Sequence, residues 1–369
     1  MPEGLQLAEI AAQFLLDAPV AAIEPLGNGQ VNDTYRVRLE GSESPCFVLQ
    51  RLNTQVFPQP ELVMGNLVQF SAHVERRLRQ GFPGLRGRRW EVPRILPARQ
   101  GTQSWLEADG SFWRLVSFVA NSESFETIDG LAQAREVGHG LGLFHALISD
   151  LPVEGLADTL VGFHITPTYL EQYHAVLGTG PISDDPDVAF CRAFVGEREW
   201  GVAVLEEAKA RGDLPLRPIH GDPKINNMLM DVASGEAIAL VDLDTVKPGL
   251  VHYDIGDCLR SCCNPLGEET SDWAAVRFDP QLCDAILQGY AAAAGSFLTP
   301  TDYDYLYAAI RLIPLELGLR FFSDYLAGNT YFKTRYPRHN LDRALVQFRL
   351  TASIEEQETA IRSIIDGLR

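Results

Sequence analysis

The sequence predicts an α+β protein of two lobes, a small β-rich lobe over residues 1–120 and a larger, mainly helical lobe over residues 121–369. Three observations predict it. The chain has 369 residues, 46% of them hydrophobic, which at roughly 100–200 residues per domain allows two lobes and a sizeable core. The first 120 residues alternate apolar and polar side chains with the period of half-buried strands, whereas from about residue 130 the apolar positions recur at helical spacing. Between the two regimes, "VANSE" at 119–123 marks the boundary.

The elements follow in order. "LAEIAAQFLLDAPVAAI" (7–23) contains acids and a proline and reads as a short amphipathic helix leading into a strand. "GQVNDTYRVRLE" (29–40) turns Tyr35, Val37 and Leu39 to one face and Arg36, Arg38 and Glu40 to the other. "PCFVLQRL" (45–52) is its partner across the turn "GSES". "PELVMGNLVQFSAHVERRLRQ" (60–80) opens with proline and carries Leu62, Leu67, Phe70, Val74 and Leu78 at helical spacing. "GLRGRRWEVP" (84–93) reads as a loop and "SFWRLVSFVA" (111–120) as a buried strand. "LAQAREVGHGLGLFHALIS" (131–149) stripes Val137, Leu141, Phe144 and Ile148 along one helix face, and the last hundred residues are helical. In "LYAAIRLIPLELGLRFFSDYLAG" (306–328) a helix apolar on most sides is kinked or interrupted at Pro314.

The balance of 31 Lys and Arg against 49 Asp and Glu, a net charge of −18, leaves no basic face for nucleic acid. No segment has the layout of a signal peptide, and no run nears the roughly 18 apolar residues of a membrane span. A cytoplasmic chain with no membrane partner is the expectation. The cysteines at 46, 191, 258, 262, 263 and 283 form no CxxC pair, as suits reduced, mostly buried thiols. A zinc site at Cys258, Cys262 and Cys263 is opposed by the adjacent pair, which cannot easily point at one ion.

The chemistry concentrates in "HGDPKINNMLMDVASGEAIALVDLD" (220–244). Two short apolar strands flank the turn "ASGE", and a hairpin there brings Asn227, before its first strand, beside Asp242, after its second. Asp222 lies five residues before Asn227 across a tight loop. One or two carboxylates, an amide oxygen and room for phosphate oxygens suit Mg²⁺, and Asp222 is then free to orient and partly deprotonate a hydroxyl. This is the phosphoryl-transfer template of kinases. Each residue alone is an ordinary cap or turn residue; the joint spacing carries the reading.

These stretches, "HGDPKINN" followed by "LVDLDTVKPGLVHYDIGD", resemble the aminoglycoside phosphotransferase/choline kinase-like superfamily, which has a two-lobed protein-kinase-like fold. More narrowly, "GNGQVNDTY", "VLQRLNTQVFPQPELVMGNL", "LVDLDTVKPG" and "GLRFFSDYLAGNTYF…YPRHNL" are similar to bacterial N-acetylhexosamine 1-kinases. The resemblance implies an ATP- and Mg²⁺-dependent kinase acting on a sugar or amino alcohol, with the anomeric hydroxyl of an N-acetylhexosamine as acceptor. It makes Asp222 the catalytic base, Asn227 and Asp242 the metal ligands with Asp244 as helper, and Asp254 a structural residue tying loops together. Another hydroxylated or amine-bearing acceptor (an aminoglycoside, choline or homoserine) and a nucleotide-binding pseudokinase scaffold are the alternatives. "DLD" in place of Asp-Phe-Gly, and no Ala-Pro-Glu ending, argue against a protein kinase.

On the nucleotide side, Gly27 and Gly29 sit in a turn where the backbone can approach phosphates. Kinases of this fold usually add a third-strand lysine, but the first lysine of this chain is Lys209. At the corresponding place stand Gln50 and, on the opposite strand face, Arg51. Phosphate neutralisation in the small lobe is therefore unassigned. Lys224, two residues after Asp222, is read as stabilising charge on the γ-phosphate. The base is expected against the backbone near Ser117 and Val119. For the acceptor, Gln30, Asn32 and Asp33 could reach it from the glycine turn. Glu316, Arg320 and Asp324 recur every four residues, as either a salt-bridge ladder or a sugar-facing stripe with a bidentate donor; the resemblance tips Arg320 towards substrate.

Overall fold

The computed structural model describes residues 3–27, 31–178, 184–295 and 297–369. After α1 (Glu3–Ala11) come β1 (Val20–Pro25), β2 (Asp33–Leu39), β3 (Phe47–Leu52), α2 (Pro60–Arg79), β4 (Ile95–Leu96), β5 (Trp105–Leu106) and β6 (Phe112–Ser117). The strands form one antiparallel sheet in the order β1-β2-β3-β6-β4, with β5 also pairing β6. Strand alternation gives it two faces. One carries Val37, Leu49, Trp113 and Leu115 and packs with Ile10 and Phe14 of the N-terminal segment. Leu52 and Phe112, on the other, join the core that α2 shares with the helical lobe. Thr34, Gln50 and Arg114 occupy that second face in register, Thr34 opposite Gln50 and Gln50 opposite Arg114.

The helical lobe comprises β7 (Ser122–Glu123), α3 (Leu131–Ile148), α4 (Thr166–Leu177), α5 (Pro186–Gly196), α6 (Val204–Arg211), β8 (Arg217–Ile219), β9 (Met228–Asp231), β10 (Ala237–Leu240), β11 (Lys247–Gly249), α7 (Val251–Cys262), α8 (Pro280–Ala294), α9 (Pro300–Leu326), α10 (His339–Glu356) and α11 (Glu358–Asp366). The periodic stripe of α3 is buried against α8. A Cβ at Gly138 would lie 1.9 Å from Ile286 O, so this close approach of backbones needs glycine. Phe144 of α3 also meets Phe70 of α2, ring centroids 5.4 Å apart, and thereby joins the lobes through apolar packing.

Of the kink or interruption expected at Pro314, the interruption does not occur. α9 runs from Pro300 to Leu326 without interruption at Pro314. Its buried neighbours on every side hold the helix together where Pro314 removes one backbone bond. Its start is fixed by a capping box between Thr299 and Asp302. Asp302 also takes both ends of the Arg217 guanidinium at 2.9 Å. Among the described residues no helix is long and apolar enough to cross a membrane.

Candidate active site

The β9–β10 hairpin is closed at its open end by Val241 N donating to Asn227 O at 2.9 Å, which sets Asn227 beside Asp242. At its tip, Asp231 Oδ1 accepts from Ala233 N and Ser234 N, the local turn chemistry of aspartate. Asp242 then adopts a left-handed conformation, φ 62° and ψ 56°. A non-glycine residue there carries backbone strain of order 1 kcal/mol, of the kind concentrated at functional sites.

The loop bearing Asp222 is held from beneath. Asp254, fully buried on α7, accepts from Gly221 N at 2.8 Å, His220 N at 2.7 Å and His145 Nε2 at 2.8 Å. Burial works to raise the Asp254 carboxyl, but these partners hold it below the usual range. His220 Nε2 donates to Val241 O at 3.0 Å, so the loop and the hairpin are one unit. Gly221 has φ +88°, and a Cβ there would lie 2.7 Å from Thr245 O; only glycine fits. On the other side His164 Nε2 donates to Gly221 O at 2.8 Å, and its Nδ1 meets Glu316 Oε1 at 3.0 Å.

Asp222 Oδ2 accepts from Lys224 Nζ at 2.7 Å, and Asn227 Nδ2 donates to Asp222 O at 2.8 Å. Asp222, Lys224 and Asn227 are thus brought together. Burial opposes ionisation of Asp222, but Lys224 holds its carboxyl below the usual range. Lys224 is in turn held well above the ordinary lysine range by Asp222, Asp242 and Asp257, against the pull of burial. Asp242 is exposed, yet the crowding of protein about its carboxyl and the neighbouring charge of Asp244 push it up to about 6. Among the described residues no three His, Cys, Asp or Glu side chains converge as a metal cage. A site of one carboxylate and one amide, under-neutralised and open to phosphate oxygens, fits Mg²⁺ all the same.

Arg51 and Asp33 are corrected, and several other expected residues are engaged within the protein. Arg51 turns to the far face of the sheet, where its Nε donates to Asp33 Oδ2 at 2.8 Å and its guanidinium lies 5.9 Å from the Trp113 ring. Both Arg51 and Asp33 therefore point away from the cleft, because odd and even strand positions face opposite sides. Asn32 is engaged within the protein, its amide nitrogen donating to Asp244 Oδ2 at 2.6 Å and its oxygen accepting from Asn53 N at 2.9 Å. Asp244, expected to help the metal, turns its oxygens to Asn32 and to Arg114, 2.5 Å away. Asp324 accepts at Oδ1 from Thr330 N and Tyr331 N and at Oδ2 from Phe332 N and Asn340 Nδ2; it braces the 328–332 turn rather than an acceptor. Ser117 N is engaged by Arg94 O. Val119, buried at the link between the lobes, takes Ser122 Oγ on its carbonyl. Gly27 has the left-handed φ of +70° expected of the turn, while Gly29 and Gln30 lie outside the described residues.

The stripe on α9 is neither of the two readings as a unit. Glu316 bonds His164 and Thr166, Asp324 bonds its turn, and only Arg320 is left to a pocket. Its guanidinium lies 5.0 Å from the centroid of Tyr169, 5.1 Å from Phe163 and 5.4 Å from Phe332. Among the described residues it makes no hydrogen bond, and its pKa is raised, against burial, by Tyr169, Glu316, Tyr331 and Asp222. A cavity of about 400 Å³, lined by Arg320, Tyr169, Gln172, Ser323 and Phe332 among others, opens beside it, in the size range of small-molecule pockets. Sequence reasoning missed His164 and Arg114. For Arg114 there was a signal: a charged residue amid the buried run Phe-Trp-Arg-Leu-Val.

Known proteins share this fold. A solved aminoglycoside phosphotransferase from Alicyclobacillus acidocaldarius superposes with a TM-score of 0.63 at 15% identity, covering 98% of this chain and 95% of its own. A microcompartment-associated aminopropanol kinase gives 0.60 at 16%, covering 97% and 98%. Choline kinase from Cryptosporidium parvum gives 0.60 at 12%, covering 99% of each. At these identities the likeness shows the fold, a two-lobed protein-kinase-like one. Residues 22–305 match the phosphotransferase enzyme family, APH, well over half of the sequence, and the chain belongs to that family.

Proposed function

We propose that this small-molecule phosphotransferase transfers the γ-phosphoryl of ATP, with Mg²⁺, to a hydroxyl of an uncharged acceptor, the anomeric hydroxyl of an N-acetylhexosamine. The observation that carries the acceptor class is Arg320. A guanidinium without a hydrogen-bond partner among the described residues, walled by three aromatic rings and near enough to Asp222 to feel its charge, repels an ammonium group. It suits instead a carbonyl or ring hydroxyl approached by a two-pronged donor. The single carboxylate lining the pocket, Asp324, is already bonded to its turn, so nothing there awaits a cation.

The chemistry assigned to each residue follows from its place. Asp222, kept ionised by Lys224, accepts or orients the acceptor's proton. Asn227 and Asp242 would hold Mg²⁺, which when bound neutralises phosphate oxygens. Lys224 sits between Asp222 and Asp242 and stabilises charge developing on the transferred group. Val119 backbone and the Gly27 turn bracket the nucleotide. The sequence similarity to N-acetylhexosamine 1-kinases supports the sugar, and the product is then a hexosamine 1-phosphate.

The second reading, an amine-bearing acceptor, is favoured by structural neighbours that include an aminopropanol kinase and a choline kinase. One assay separates the two: phosphate transfer from ATP to N-acetylglucosamine, N-acetylgalactosamine, glucosamine, choline and an aminoglycoside, with and without Mg²⁺. Turnover of the N-acetyl sugars alone is expected. Preference for choline or an aminoglycoside overturns the acceptor class, and nucleotide binding without transfer to any of them favours a scaffold.

A further inference from the structure

The small lobe lacks the lysine that kinases of this fold place on the third strand, yet it does not lack a buried cation. Arg114 of β6 lies directly across the sheet from Gln50 of β3, on the face turned to the helical lobe. Its side chain is 3% exposed, as is that of Asp244. Arg114 Nε donates to Gln50 Oε1 at 2.9 Å, and Gln50 Nε2 donates in turn to Thr34 Oγ1 at 3.2 Å. Arg114 Nη1 approaches Asp244 Oδ1 at 2.5 Å but without the direction of a hydrogen bond, and neither atom has another partner among the described residues. The buried polar residues of α2 are Asn66, Ser71 and His73, with no glutamate. The strand-lysine and helix-glutamate pair usual in protein kinases therefore has no counterpart in those two elements.

We propose that Arg114 is the cation with which the small lobe binds the nucleotide's phosphates, delivered from β6 instead of β3. Gln50 and Asp244 aim it, so that position 50 contributes as a positioning residue with no charge of its own. A guanidinium has five N–H donors in a fixed fork, more than Gln50 and Asp244 engage. The side chain lies on the face turned to the helical lobe, two strands from the β2 side of the Gly27 turn, and near enough to Asp242 for its charge to lower that carboxyl. A mere ion pair would be a poor reason to bury these groups, since such pairs add little net stability over apolar residues. The inference rests on the kinase reading above.

The test is binding of Mg·ADP and of adenosine to the full chain by titration calorimetry, which needs no acceptor. R114M is expected to weaken Mg·ADP binding roughly 10- to 100-fold, as suits loss of charge-assisted hydrogen bonds, and to leave adenosine within about twofold. The exchange Q50R/R114Q, which returns the charge to β3 on the same face, is expected to recover most of the loss. Unchanged Mg·ADP affinity in R114M, or equal loss of ADP and adenosine binding, overturns the proposal. If R114M does not fold, R114Q is read by the same ADP-to-adenosine ratio. Failure of the unaltered chain to bind any nucleotide would instead overturn the kinase reading itself.

Discussion

Replacing Asp254 by asparagine tests whether the catalytic loop is positioned from beneath. Asp254 Oδ1 receives Gly221 N, and Oδ2 receives both His220 N and His145 Nε2, all within 2.7–2.8 Å and fully buried. Asparagine keeps the shape but turns one oxygen into an NH₂ group. Whichever way the amide lies, that group faces a backbone N–H, so at least one buried donor is left without an acceptor. That costs about 1–3 kcal/mol, and loss of charge from the remaining bonds brings the total to about 2–4 kcal/mol. Relief of the N–H to N–H conflict moves residues 220–221, and Asp222 with them. A displacement near 1 Å can cost about 10²-fold in rate, so kcat is expected to fall roughly 10- to 100-fold, while KM for ATP changes little. Denaturant unfolding and steady-state kinetics on the same preparation measure both. Asp254→Asn protein destabilised by this amount but with kcat within about twofold of the unaltered chain would refute the reasoning, because Asp222 would then hold its place without the anchor.

Lys224→Ala is expected to lower kcat by about 10²-fold with KM for ATP nearly unchanged, and to shift the acid limb of the pH–rate profile upward, since Lys224 is what holds Asp222 low against burial; unchanged turnover removes its role. Arg320→Ala should raise KM for the acceptor about 10-fold or more without touching KM for ATP, and Arg320→Glu should improve turnover of an amine-bearing acceptor relative to the N-acetyl sugar in the competition assay. Asp302→Asn should destabilise the fold by about 3 kcal/mol at neutral pH by stranding Arg217. Burial raises the Asp302 carboxyl, but Arg217 and Thr299 outweigh it and hold the pKa below the ordinary 3.8. Its contribution is therefore present above about pH 4 and lost as pH falls through the lowered value; chemical denaturation from pH 7 to pH 3 should show the gap between the two proteins closing only at the acid end.

What was legible in the sequence was what local pattern encodes. The hairpin from Met228 to Leu240 follows from two short apolar runs about an Asp-Val-Ala-Ser-Gly turn, and with it comes the meeting of Asn227 and Asp242. The helix from Pro60 to Arg79 follows from its proline start and apolar stripe. What was not legible was which polar side chains the protein would use on itself. Asn32 and Asp244 are 212 residues apart, and His164 and Glu316 are 152 apart; nothing in the neighbourhood of either residue specifies its partner. Asp33 illustrates the limit differently. It stands one residue from the buried Asn32, yet on the other face of the turn and strand, where Arg51 sits opposite in register. Asn32 and Asp33, the two described polar residues after the turn, are thus both engaged with the protein itself.

The non-local contacts also tie the pocket on α9 to the distant loop that bears Asp222. α9 carries Arg320 into the pocket and Glu316 into the bond with His164, one helical turn apart. His164, itself at φ 66°, hands that link to Gly221 O, next to Asp222. The pocket beside Arg320 and the loop bearing Asp222 are therefore mounted on one support. Glu316 is held ionised by His164 and Arg320 against its burial, so the support is a charged hydrogen-bonded chain in a low-dielectric interior, where a fully satisfied network is stiff. Such stiffness is what in-line transfer requires: little covalent chemistry remains for the protein to perform once the hydroxyl and the phosphoryl group are aligned. The small lobe contributes the opposite property. Its tie to the large lobe at the cleft runs through Asp244, shared between Asn32 and Arg114, and a ligand that draws Arg114 towards its phosphates must rearrange that tie.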